Sequence, residues 1–363
     1  MQKKIIALAI ASALTAPALA FADVTPYAQA NLSVDRVKDG MTNSSTTNQL
    51  VSNYSYIGLK GSEDLGGGLS VVGKIEGSVG MDGSSNNLGT SSNPGNNQFA
   101  TTVLFNRDTY LGLSSATMGT LLAGRAQSPY MAATRKLDMF GDTIAADTRS
   151  SMGVIMLGGG HDTYLSNAIA YVSPSMSGFS VAAATVFGAE TASATTPNKG
   201  SAYSLAGMYD QGPFYGTLAY QTIKVGDAGT GDLGYSTFLG GALPASGDET
   251  KAMKLGGSYS VDAFAVNAEV ERIRDTVSGA DISNTNWYLA GKFNITSADD
   301  VKLAYTKRGT QTGVTDDAKQ WAVGYDHAMS KATSVYALVT KVTDNTAGAP
   351  DPSTGSVGIK HSF

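Results

Sequence analysis

The chain of 363 residues carries 25 basic and 30 acidic side chains, 43 glycines, 17 tyrosines and no cysteine. Charged residues make up 15% of it, against roughly 25% in an ordinary soluble domain, and glycine lies well above its usual ~7% share. That balance argues against disorder and against nucleic-acid binding, which need high or basic charge, and the lack of cysteine excludes disulfides, zinc thiolate sites and iron–sulfur ligation.

Residues 1–22 combine a basic start (Lys3, Lys4), an apolar core from Ile5 to Leu14, a break at Pro17 and the small-residue pattern Ala20-Phe21-Ala22. This is the pattern of a secretory signal, cut before Asp23. Its apolar core is shorter than the ~20 residues a spanning helix needs. Residues 23–363 are therefore expected to leave the cytoplasm as one exported unit.

Beyond Asp23 the apolar residues recur with period two. Met253, Leu255, Gly257, Tyr259 and Val261 alternate with Lys254, Gly256, Ser258 and Ser260, and Trp287, Leu289, Gly291 and Phe293 alternate with Tyr288, Ala290 and Lys292. In chain order the candidate strands run over 24–37, 52–64, 69–81, 102–116, 119–130, 167–176, 179–189, 202–212, 213–226, 251–262, 264–275, 284–295, 300–310, 318–329, 333–343 and 355–363. That even set of sixteen is joined alternately by tight turns, such as Thr117-Met118, Ser177-Gly178 and Asp262-Ala263, and by long polar segments: 38–51, 82–101, 131–166, 190–201, 227–250, 276–283, 311–317 and 344–354.

Short turns at one end and long polar loops at the other predict an all-β fold, a sixteen-stranded antiparallel transmembrane β-barrel. In lipid every backbone N–H and C=O must pair within the protein, which leaves only helices or a closed barrel able to span. The apolar member of each pair then faces lipid and the polar member faces the lumen. A soluble β-sandwich would also alternate, yet sixteen strands exceed what one sandwich packs. The alternation runs to the terminal Phe363, and closure against the first strand gives those last residues, which otherwise fray, a reason to be ordered.

Several segments carry a family resemblance. They are Asp23-Val24-Thr25-Pro26-Tyr27, Ile57-Gly58-Leu59-Lys60-Gly61-Ser62-Glu63-Asp64-Leu65-Gly66-Gly67-Gly68-Leu69 across the first tight turn, Asn106-Arg107-Asp108-Thr109-Tyr110-Leu111-Gly112-Leu113, Gly119-Thr120-Leu121-Leu122-Ala123-Gly124-Arg125, Val323-Gly324-Tyr325-Asp326-His327 and Val357-Gly358-Ile359-Lys360-His361-Ser362-Phe363. Together they resemble the Gram-negative general diffusion porins of the neisserial and beta-proteobacterial trimeric type. The resemblance implies a sixteen-stranded barrel, a homotrimer among outer-membrane lipids, and a third loop folded into the lumen as a constriction. The reading that follows is a water-filled channel for ions and small hydrophilic solutes with no bound cofactor, and calcium between the acidic loops stays open, although no stretch has the spacing of an EF-hand.

That third loop, 131–166, is the longest and holds Arg135, Lys136, Asp138, Asp142, Asp147 and Arg149. Fixed opposite charges across a lumen make a transverse field that favours small hydrated solutes. On the wall, Arg107 matches the family's inward basic residue, and the other reading of it is an arginine paired with a neighbouring carboxylate for stability. Lys60 and Lys74 fall on the lumen phase, with Glu76 two residues on, and are equally well read as solvated wall charges. Tyr56 stands where the family usually has arginine, which weakens the inherited case for strong anion selectivity. The expected constriction is thus Tyr56, Lys60, Lys74 and Arg107 facing Asp138, Asp142, Asp147 and Arg149.

An enzyme would need a nucleophile or base, and the three histidines, His161, His327 and His361, have no nucleophile motif beside them. Two other readings stay open at this point: a channel preferring one substrate, and a plugged barrel whose loops act as an adhesin or structural surface.

Overall fold

The computed structural model describes residues 23–41, 44–83, 105–145, 161–187, 200–226, 245–277, 279–310, 317–345 and 349–363. The expected export signal, residues 1–22, lies outside them. Most described residues belong to one antiparallel sheet. Its strands are β1 (Asp23–Lys38), β2 (Thr46–Ser52), β3 (Tyr56–Gly66), β4 (Leu69–Ser78), β5 (Thr109–Ser115), β6 (Gly119–Gln127), β7 (Tyr164–Val172), β8 (Phe179–Val186) and β9 (Ser201–Gln211). They continue as β10 (Phe214–Lys224), β11 (Glu249–Ser260), β12 (Phe264–Val277), β13 (Ala280–Asn294), β14 (Asp299–Arg308), β15 (Ala318–Ala328), β16 (Thr333–Asp344) and β17 (Ser353–Ser362).

From β3 onward each strand pairs with the next in sequence, and β1 pairs with β17 from Gln29↔Ser362 to Lys38↔Ser353. The Phe363 amide donates to the Ala28 carbonyl at 2.9 Å, so the ladder is used to its last residue. The sheet is a closed barrel, the arrangement that lets a wall in lipid satisfy its backbone groups inside the protein. The seventeen segments fill sixteen wall positions, because β2 and β3 both pair with β1, the first against Leu32–Lys38 and the second against Asp23–Gln29. Between them Asn53, Tyr54 and Ser55 kink the strand: Tyr54 takes a φ of 54°, and Ser55 Oγ accepts from the Asn31 amide at 3.0 Å.

Most expected strand positions hold to within a few residues, with four corrections. The second strand begins at Thr46 rather than 52, since the kink hides its first half among polar residues. The strand expected to reach residue 130 stops at Gln127, because Ser128 caps a helical turn that starts with Pro129. The segment 276–283, expected as a long loop, is mostly strand around Gly279. Of the strand expected over 102–116, residues 109–115 are extended and 102–104 lie outside the described residues.

The apolar alternates face outward. Leu255, Leu289, Leu303 and Val357 are each more than half exposed, the position of lipid-facing side chains on a membrane barrel. Inward positions on β1 are polar, with Gln29, Asn31, Ser33 and Asp35 buried in a row. Inward positions on β9–β15 are often alanine instead: Ala206, Ala219, Ala252, Ala290, Ala304 and Ala322. Water would not require alanine there, and the covering layer that does is the third loop.

Candidate functional site

The loop enters the lumen at Ser128, whose hydroxyl accepts from the Met131 amide at 3.1 Å and starts α1 (Pro129–Thr134), followed by a single 3₁₀ turn over Arg135–Leu137. Pro at the first helical position loses no hydrogen bond, so Ser-Pro is an efficient start. Tyr130 and Ala133 pack on Ala206, Ala219, Ala252 and Ile273, while Phe140 and Ala145 pack on Ala290, Ala304, Ala322, Tyr336 and Leu338. Two wall glycines serve as dimples under the loop. A Cβ on Gly256 would lie 2.4 Å from Leu137 Cδ1, and one on Gly324 would lie 2.7 Å from Phe140 Cε1. Asn267 Nδ2 donates to the Leu137 carbonyl at 2.7 Å, and the Met139 amide donates to Tyr288 Oη at 3.0 Å.

The loop is held at both ends of its path by charge. Where it leaves the lumen, Asp162 accepts from Lys254 Nζ at 2.7 and 2.6 Å on its two oxygens. Lys254 is fully buried, lies 3.5 Å from Glu269 and 3.7 Å from Glu271, donates to Thr134 Oγ1 at 3.3 Å and sits 4.6 Å over the Tyr130 ring. Glu271 also accepts from Tyr130 Oη at 2.7 Å and from Asn286 Nδ2 at 2.8 Å. Burial pushes the Asp162 carboxyl up, against the pull of Lys254. Beside it, His161 is fully buried. Thr250 gives its proton to Asp275, so its oxygen accepts from His161 Nε2 at 2.8 Å, and Nδ1 accepts from Gln221 at 3.3 Å. Burial, assisted by Lys254, lowers this imidazole to about 3, and the ring is neutral in the lumen.

Across the lumen the loop reaches the seam between β1 and β17. Asn31 Nδ2 donates to the Asp142 carbonyl at 2.6 Å, and Gln29 Nε2 donates to the Asp142 carboxylate at 3.3 Å. Lys360 Nζ approaches the same carboxylate at 3.4 Å and Arg135 at 3.5 Å. Asp142 takes a φ of 62°, the left-handed turn that lets its backbone and side chain both face the seam. Asp138 stays local, its Oδ1 accepting from the Phe140 amide at 2.9 Å. Asp147 and Arg149 lie outside the described residues.

Four of the expected residues meet on the facing wall. Arg107 is buried and paired with Glu76, with its guanidinium 4.6 Å over the Tyr56 ring and 5.7 Å from that of Tyr164. Lys74 bridges Glu76 at 3.0 Å and Asp108 at 2.8 Å, and Tyr27 Oη donates to Glu76 at 2.7 Å. Lys60 lies 5.6 Å over the Tyr27 ring. Gly58 makes room for that tyrosine, since a Cβ there would lie 2.6 Å from its ring. The tyrosine at position 56 thus works as a cation platform for Arg107, in place of a further charge.

A closed lipid-facing barrel with a loop lining its lumen is the architecture of a passive channel. A family model for Gram-negative porins matches residues 7–347. The chain is a Gram-negative porin. It is 26% identical to the outer membrane porin protein 32 of Delftia acidovorans and 26% identical to a major outer membrane protein P.IA of Neisseria meningitidis serogroup C, each over the full length of both chains. Among solved structures it superposes on the anion-selective porin from Comamonas acidovorans with a TM-score of 0.73 at 21% identity, covering 94% of this porin and all of that chain. It also superposes on the trimer form of Vibrio cholerae OmpT with a TM-score of 0.66 at 15% identity, covering 94% and 99%. The porin is an outer-membrane channel for the passive diffusion of solutes, and its relatives are channels rather than enzymes.

The residues that anchor the loop, Lys254, Glu269, Glu271 and Asp162, were not among those singled out from sequence. A signal for three of them exists: Lys254, Glu269 and Glu271 all fall on the inward phase of adjacent strands, where a cation and two carboxylates are drawn together.

Proposed function

We propose that the third loop sets the bore of the channel, and that solutes pass between Tyr56, Lys60, Lys74 and Arg107 on the wall and the loop residues Asp138 and Asp142, with Asp147 and Arg149 part of the same rim. The observation that carries this reading is the path of residues 129–145, which lie inside the wall from the Thr134 contact with Lys254 to the Asp142 contacts at the β1–β17 seam. Fixed charge on both sides of a narrow aqueous path orders water and admits small hydrated solutes.

The preferred ion is the anion. Lys60 and Lys292 face inward with no carboxylate within salt-bridge distance among the described residues, whereas Glu76, Asp108 and Asp142 are each held by a cation. The Comamonas neighbour described as anion-selective supports the same sign. The porin binds no cofactor and carries out no chemical step. It is exported by residues 1–22, cut before Asp23, and works as a homotrimer, as the trimer form of the OmpT neighbour suggests.

Planar-bilayer recording tests this reading. The expected record is stepwise ohmic openings in threes, with a reversal potential of chloride-preferring sign under a tenfold KCl gradient. A cation-preferring potential refutes the ion assignment. Folded, heat-modifiable protein that never conducts refutes the open constriction.

A further inference from the structure

Glu269 is the member of the loop anchor whose charge is not answered. The Lys254 ammonium has three N–H donors. Two reach the oxygens of Asp162, at 2.7 and 2.6 Å, and the third reaches Thr134 Oγ1 at 3.3 Å. Glu271 accepts on one oxygen from Tyr130 Oη at 2.7 Å and on the other from Asn286 Nδ2 at 2.8 Å. Glu269 is left with the ammonium at 3.5 Å and accepts no hydrogen bond on either oxygen, although its side chain is wholly buried.

Its surroundings add negative charge. Glu271 stands two residues on along the same inward face of β12, and Asp162 comes from the end of the loop, so three carboxyl groups gather at one ammonium. The other titratable groups on this side are Tyr215 of β10, Tyr288 of β13, Tyr130 of α1 and the neutral His161 beside Asp162. The two cations of the 3₁₀ turn are engaged elsewhere, Arg135 with Asp142 at 3.5 Å and Lys136 with Asp210 at 2.5 Å. A carboxylate buried without donors takes up a proton in preference to staying charged. As an acid Glu269 becomes a donor, and an acceptor that lacks one stands two residues away on the same face: Asn267 Oδ1, whose amide nitrogen is already given to the Leu137 carbonyl.

Both cross-strand neighbours of Glu269 carry the loop. Gly256 is the dimple under Leu137, and Tyr288 Oη accepts from the Met139 amide. Lifting the loop therefore admits water to Glu269.

We propose that Glu269 is a proton-operated latch: it is a neutral acid while the loop is seated, and its ionisation as pH rises frees the loop. The sign follows from proton counting. The seated form holds one proton more than the lifted form, in which a hydrated glutamate ionises near its ordinary value of about 4.3. Seating weakens about tenfold for each unit of pH above that value, until the seated acid itself ionises. The effect on current rests on the loop setting the bore, whereas the proton and the release of the loop do not.

The test uses the whole refolded porin between about pH 6 and pH 9, by single-channel recording, by proteolysis and by infrared difference spectroscopy in detergent. Wild type is expected to show a protonated-carboxyl band at pH 6 that fades toward pH 9. Over the same interval cleavage within 131–166 accelerates and wide, noisy openings gain occupancy, about tenfold per pH unit at the steepest. Glu269→Gln, which keeps the shape of the neutral acid, is expected to lack the band and to keep the loop protected and the channel narrow at pH 9. A wild-type spectrum with no such band at pH 6 overturns the latch without recourse to any variant. So does a band that persists in Glu269→Gln, which moves the proton to another group, and so does a band that titrates while the loop stays equally protected. A titrating band with a released loop and a constant current upholds the latch and refutes the loop's hold on the bore.

Discussion

Replacing Lys254 by Met removes the ammonium that three buried carboxylates share while keeping the stem's volume. The ammonium makes two close contacts to Asp162, at 2.6 and 2.7 Å, and lies within 3.5 and 3.7 Å of Glu269 and Glu271. Breaking a buried pair by removing one partner costs about 3–5 kcal/mol, because the other charge is left uncompensated. The backbone ladder is untouched by this change, and of the three carboxylates only Asp162 belongs to the loop. The cost therefore falls on the docked loop, and a shift of that size moves its docking equilibrium by a hundredfold or more, about two to three and a half powers of ten. The assay is single-channel recording combined with limited proteolysis of the refolded protein. The variant is expected to show larger, noisier openings and early cleavage within 131–166, and Lys254→Met/Asp162→Asn is expected to recover part of the loss. A Lys254→Met channel with wild-type conductance, noise and protease resistance would refute the anchoring role.

Filling a dimple acts on the same loop through sterics: Gly324→Val is expected to displace Phe140 and widen the conductance, and an unaltered single-channel current counts against the seat. Arg107→Ala is expected to shift the reversal potential toward cations by exposing Glu76, with unchanged selectivity as the opposing result. His161 gives a pH signature. Its folded value of about 3 lies below its ordinary value near 6.5, so the unfolded chain binds the extra proton and the site's stability, complete above pH 6.5, is lost as pH falls toward 3. In thermal melts the stability difference between wild type and His161→Gln is therefore expected to shrink steadily from pH 6.5 to pH 4, and a difference independent of pH would refute the buried neutral ring.

Strand positions were legible in the sequence because lipid outside and a filled or watery lumen inside impose opposite demands on adjacent residues, and Leu255 beside Lys254 shows both in two letters. The Ser128-Pro129 start of α1 was equally written there, but the alternation from Gly119 onward runs straight through it and was the stronger pattern. Arg107 was found as a wall residue; its pairing with Glu76 was within reach, since both lie on one phase. The Lys254–Asp162 contact was not, because its partners stand 92 residues apart and only the crossing of the loop brings them together. The kink at Tyr54 was hidden for a different reason: a positive φ at a tyrosine has no compositional mark.

The tip of the loop docks on Gln29 and Asn31 of the first strand and on Lys360 of the last. During assembly that docking surface does not exist until the two ends of the chain have met. Asp142 is thus a clasp across the final join, and the order of events is imposed by connectivity: the wall must be complete before its passage can be narrowed. An immature barrel with unjoined ends is also an ungated one, and the step that seals the wall creates the site on which the loop comes to rest.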